Sequence, residues 1–139
     1  MPVELDPATD YPLGTRRPDL VKTPSGLDLD AVTLPAARAG QLVASDVRAT
    51  AGTLALQSEV ARAAGRTQLA DGLERASELA GVPDDELLEI YTALRPGRST
   101  VPELEARAAR LEELGANRTA AFVREAASVY LERRLVADG

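Results

Sequence analysis

From Thr33 onward, apolar residues recur at intervals of three and four, punctuated by Gly, Pro and capping residues. That spacing is the mark of helices with one buried face. Thr33 caps a short helix through Ala39, ended by Gly40, and Thr50 caps a second through Ala64, with Leu56 and Val60 on one face and Gly65 as its stop. Thr67 opens a third, in which Leu69, Leu73, Ala76 and Ala80 form a stripe predicted to be buried; Gly81-Val82-Pro83 ends it. Pro83 also starts a fourth, whose first turn carries Asp84, Asp85 and Glu86 at the positive end of the helix dipole. Its predicted inward stripe is Leu87, Tyr91 and Leu94, and Pro96-Gly97 terminates it. Thr100-Val101-Pro102-Glu103 is a capping box for a fifth helix, with Leu104, Ala108 and Leu111 facing inward and Gly115 closing it. Asn117 is predicted to cap the last, along which Val123, Ala127 and Tyr130 recur. Short loops joining five or six helices, with no strand pattern after Thr33, predict an all-α fold, a small helical bundle.

The chain ahead of this region is different. Six of the nine prolines fall in the first 35 residues, and each fixes φ, removes an N–H donor and biases its predecessor towards extended backbone. Residues 1–32 are therefore predicted to form an extended Pro-rich arm, and residues 33–139 the helical domain. Leu27-Asp28-Leu29-Asp30 alternates like a strand but is too short to define one. Tyr11, Leu13, Leu20, Val21, Leu27, Leu29 and Val32 are spread along the arm, more apolar side chains than a purely solvated tail carries. Either the arm folds back over its own helices or it lies along another subunit; the second reading makes Tyr11, Leu13, Leu20, Val21, Leu27 and Leu29 interface candidates.

Composition strengthens the case for a partner. Of 139 residues 25 are Ala and four are aromatic, so few large side chains are available for burial, which supplies about 25 cal/mol per Å² of apolar surface. With no Cys and no His, the chain has no disulfide, thiol nucleophile, zinc–thiolate site, Ser-His-Asp triad or axial imidazole. A net charge of −6 argues against nucleic acid, whose phosphates call for a basic face. Residues 1–20 lack the apolar centre of a signal peptide, and no apolar run is long enough to span a membrane, which predicts a cytoplasmic chain. All but one of the 16 basic residues are Arg, which reflects either interfaces built on planar donors or the codon usage of a GC-rich genome.

Few residues offer chemistry. Asp84, Asp85 and Glu86 point in different directions on a helix and are explained by its dipole; Asp71/Arg75 and Glu103/Arg107 are spaced as solvated ion pairs. Arg95 and Arg98 flank the rigid Pro96-Gly97 turn beside a helix start. They could hold an anion or a partner carboxylate, or Arg95 could cap the preceding helix. No catalytic, cofactor-binding or metal-ligating residue is assigned.

Longer stretches carry a resemblance. They are Asp10-Tyr11-Pro12-Leu13, Arg17-Pro18, Val21-Lys22-Thr23, Asp46-Val47-Arg48, Ala64-Gly65-Arg66, Val82-Pro83-Asp84-Asp85, Leu88-Glu89-Ile90-Tyr91, Ala93-Leu94-Arg95-Pro96, Arg98-Ser99-Thr100 and Ala121-Phe122-Val123-Arg124-Glu125-Ala126-Ala127. In this order they resemble the small subunit of the adenosylcobalamin-dependent diol and glycerol dehydratases. Gly72 stands where that family suggests Asn, and Ser77 where it suggests Ala. Only nine residues precede the Asp-Tyr-Pro-Leu stretch, fewer than in microcompartment-associated relatives, which leans towards an unenclosed glycerol or diol dehydratase and leaves enclosure in a microcompartment open. The resemblance implies a heterotrimer, usually doubled, that converts 1,2-diols or glycerol to aldehydes by radical chemistry. It places the active site and cation in the large subunit, and adenosylcobalamin between the large and medium subunits. The small subunit, packed on the large one, is then an accessory without catalytic residues. Two other classes compete: a free-standing helical adaptor that binds through the arm, and an enzyme using carboxylates such as Glu74 and Glu78, one turn apart.

Overall fold

A computed structural model describes residues 4–138, which form two compact units divided between Ala80 and Gly81. Among the described residues there is no strand, only an isolated bridge between Lys22 and Asp28. The fold is all-α.

In the first unit, the arm carries two helical turns, α1 (Pro7–Asp10) and α2 (Leu13–Arg16), and 3₁₀ turns at Pro18–Leu20 and Leu29–Ala31. Residues 4–32 are thus short turns joined by extended residues rather than one extended run. The reason is proline itself: Pro7 and Pro18 sit in the opening positions of turns, where a fixed φ is already helical and no N–H is needed. Leu29, in the four-residue alternation that is too short to define a strand, starts a 3₁₀ turn. Asp6 caps α1 through the Ala8 amide, and Arg17 gathers the arm by pairing with Asp10 at 3.0 Å and Asp19 at 3.1 Å. The short helix α3 (Leu34–Arg38) follows, capped by Thr33 as expected.

The unit is built on a hairpin of α4 (Ala51–Ala63) and α5 (Thr67–Leu79), with α1 against α4. The seam between α4 and α5 is made by Ser58, Ala61 and Ala70, all buried, and the Ser58 hydroxyl donates to the Ala70 carbonyl at 2.9 Å. Small side chains let the two backbones approach closely. The buried face of α5 is consequently turned by one position from the predicted stripe: Ala70 is fully buried, Leu73 and Ala76 are half-buried, and Leu69 and Ala80 are exposed.

The second unit holds α6 (Asp84–Ala93), α7 (Val101–Glu113) and α8 (Asn117–Glu132), with α7 and α8 forming the second hairpin. Leu104, Ala108 and Leu111 of α7 and Val123 and Ala127 of α8 are buried, as the periodicity predicts. The Thr100/Glu103 capping box forms. On α6 the inward residues are Ile90 and Ala93; Leu87 and Leu94 are half-buried, and Tyr91 is 59% exposed. The predicted stripe places Tyr91 inside; it is exposed because the packing positions of α6 are Ile90 and Ala93. Asn117 opens α8 rather than capping it, because the preceding position is taken by the fully buried Ala116.

The two hairpins correspond in caps, turns and seam at a spacing of fifty. Thr50 and Thr100 cap first helices of the same length, Ala51–Ala63 and Val101–Glu113. Gly65 and Gly115 turn the chain with φ of +75° and +80°. In both turns the glycine amide bonds back three residues and the following amide bonds back five, Arg66 to Ala61 and Ala116 to Leu111. Ala70 and Ala120 are both fully buried. Even the surface ion pair recurs, with its charges exchanged: Arg62 meets Glu74 at 2.8 Å, and Arg124 meets Glu112.

Candidate functional site

In the first unit an apolar groove of about 850 Å³ lies between the arm and the α4–α5 hairpin. Tyr11, Leu13, Val21 and Leu29 contribute from the arm, and Thr53, Gln57, Val60, Ala61, Arg66, Leu69 and Leu73 from the hairpin. Further along, a clasp ties the arm to the segment before α4. Pro24 and Gly26 shape a turn in which the Gly26 amide bonds to the Thr23 carbonyl at 2.9 Å, and the Leu27 amide bonds to the Thr23 hydroxyl at 3.1 Å. The Ser25 hydroxyl donates to the buried Asp46 carboxylate, which also accepts from the Val43 amide at 2.8 Å. These donors, the Ser25 hydroxyl first and the Val43 amide next, hold the Asp46 carboxyl below the ordinary carboxylate range.

The groove unites four of the sequence-derived interface candidates. Tyr11 is 62% exposed and Leu29 partly so, Val21 is half-buried, while Leu13 is buried in its own unit at 5% exposure. Leu20 and Leu27 are half-buried and do not line the groove. In the other unit, Arg95 and Arg98 are exposed. Arg98 lines a smaller polar cleft between α6 and α7, and the carbonyl at the end of α6 is met by Tyr130, whose hydroxyl donates to Leu94 at 2.6 Å.

Sequence reasoning missed Val60 and Leu69 as groove residues, because their helical spacing reads as core. It also missed Asp46, for which a buried carboxylate in a Val-Ala-Ser-Asp-Val stretch leaves no periodic signal.

The carboxylates do structural work. Glu86 receives the Arg110 guanidinium at two contacts of 2.8 Å, which hold its carboxyl below the usual range. Glu89 pairs with Arg107 at 2.6 Å, tying α6 to α7 a second time. Arg62 bridges Asp71 at 3.0 Å and Glu74 at 2.8 Å, so Glu74 serves the α4–α5 hairpin. Among the described residues there is no cluster of three acidic, His or Cys side chains that could hold a metal ion, and no helix long and apolar enough to cross a membrane.

The groove is apolar, and the acids beside it and on α6 are ion-paired. Comparison with known proteins decides the family: the model for the dehydratase small subunit matches residues 7–137. The chain belongs to that family. This dehydratase small subunit is 52% identical over 127 residues to the propanediol dehydratase small subunit of Citrobacter freundii, covering 91% of this chain and 74% of the relative. It is 50% identical over 127 residues to the corresponding subunit of Salmonella typhimurium, covering 91% and 73%. The match takes in the arm from Pro7, the clasp at Asp46 and both hairpins of the dehydratase small subunit.

Proposed function

We propose that this chain is the small, non-catalytic subunit of a diol dehydratase of the propanediol type, a lyase that turns a 1,2-diol into an aldehyde and water. The observation that carries the reading is the family match across residues 7–137. Its partners are the large and medium subunits, in a doubled heterotrimer that works in the cytoplasm. Adenosylcobalamin serves the complex by supplying the radical that starts the reaction. The donor set here does not suit that cofactor: the chain has no His to ligate a corrin metal, and the groove is walled by Tyr, Leu, Val and Ala side chains. No step of the reaction is therefore assigned to these residues. Their contribution is shape and adhesion.

Co-expression with a large and a medium dehydratase subunit tests this. The chain is expected to co-purify in equal amounts, to show no turnover of 1,2-propanediol alone with adenosylcobalamin, and to raise the yield of active complex. Turnover by the isolated chain, or failure to associate with either subunit, overturns it.

A further inference from the structure

The fifty-residue correspondence shows what the groove lacks. In the second unit α6 lies along the face of α7 that carries Glu103, Arg107 and Arg110, bound there through Glu86 and Glu89. The matching positions on α4 are Thr53, Gln57 and Val60, and all three line the groove. On that side the first hairpin meets the four-residue α1 and, at the groove, Leu13, Val21 and Leu29 of the arm, where the second hairpin has the ten-residue α6. Burial records the difference. Leu104, Thr119 and Val123 are buried, whereas their counterparts Leu54 and Leu73 are half-buried and Leu69 is 44% exposed.

Charge differs in a way that selects an occupant. Arg107 and Arg110, which bind the acids of α6, are replaced by Gln57 and Val60, so the first hairpin does not ask for acids along that edge. Fully buried Ala116 is replaced instead by exposed Arg66, which lines the groove and makes no ion pair or side-chain hydrogen bond among the described residues. A guanidinium at the mouth of an apolar trough complements a carboxylate on an otherwise apolar helix face.

We infer that the groove seats an amphipathic helix of a partner dehydratase subunit, whose apolar face packs on Val60, Leu69 and Leu73 and whose carboxylate meets Arg66. The inserted helix stands to α4–α5 as α6 stands to α7–α8. This rests on the small-subunit reading above.

Because the chain has no cysteine, Leu69→Cys creates a single thiol in the groove. Its rate of alkylation by a maleimide is expected to fall at least tenfold when the purified variant is assembled with the large and medium subunits. Leu69→Glu and Arg66→Glu are expected to weaken that association at least tenfold while leaving the melting curve of the isolated chain in place. Unchanged alkylation in the complex, with wild-type association of both Glu variants, overturns the inference and leaves the small-subunit reading standing. If the wild-type chain does not associate at all, both fall. If Leu69→Glu instead abolishes self-association in sedimentation without affecting the complex, the occupant is a second copy and the inference is wrong.

Discussion

Tyr130 donates its hydroxyl to the Leu94 carbonyl at 2.6 Å, so a side chain near the end of α8 closes the end of α6. The last carbonyls of a helix have no partner within it, and a half-buried one left unsatisfied carries a desolvation cost. Tyr130→Phe keeps the ring and removes the bond. It is expected to lower stability by about 1 kcal/mol, read as a shift in the urea midpoint with an unchanged slope.

Two residues at unfavourable backbone positions offer the opposite outcome. Gly72 lies inside α5 with ordinary helical surroundings, and a Cβ there would meet nothing within 4 Å. Gly72→Ala is expected to stabilise by about 0.5–1 kcal/mol through the unfolded chain's lost freedom. Arg134 ends α8 at φ +56°, in the role that Gly65 and Gly115 play in the hairpin turns. Arg134→Gly is expected to raise the melting temperature, since the left-handed region disfavours a residue with a Cβ.

The Asp46 clasp makes the arm sensitive to acid. Its carboxyl titrates lower in the folded chain than in the unfolded one, so its contribution is complete above the unfolded value. That contribution fades as the pH falls below about 4 and through the lowered folded value. Hydrogen exchange at the Val43 and Leu27 amides is expected to accelerate, relative to the intrinsic rate, over that range. Asp46→Asn is expected to exchange faster at neutral pH and to lose the acid transition.

Tyr91 and Leu104 are expected to separate cleanly. Tyr91→Ala, at an exposed position, should change stability by about 0.5 kcal/mol or less. Leu104→Ala removes a side chain that is 1% exposed and should cost about 2–5 kcal/mol. Chemical denaturation of both variants checks the pair.

These contrasts show where sequence was sufficient. Helix boundaries were legible because local chemistry sets them: Thr33, Thr50 and Thr100 accept amide hydrogen bonds at helix starts, and Gly40, Gly65 and Gly115 adopt positive φ at the ends. Which face turns inward was less legible in α5 and α6. There the packing residues are Ala70 and Ala93 with Ile90, and alanine is too common along this chain to mark a stripe. The arm's apolar residues were legible as interface candidates, and four of them line the groove. The facing wall of Val60, Leu69 and Leu73 depends on how α4 and α5 rotate about their Ser58–Ala70 contact, which no local pattern records. The hairpin correspondence was hidden for a similar reason. Position matches were kept by size and turn geometry while identities changed, down to the reversed pair Arg62–Glu74 and Glu112–Arg124.

Each hairpin closes within one continuous stretch of chain, Ala51 to Leu79 and Val101 to Glu132, so its contacts are close in sequence. Short-range contacts form quickly, and modules nearer the amino terminus are completed earlier during synthesis. On a translating ribosome the first hairpin is therefore able to close while the second is still being polymerised. Its seam of Ser58, Ala61 and Ala70 can then be closed before the helices of the second unit exist.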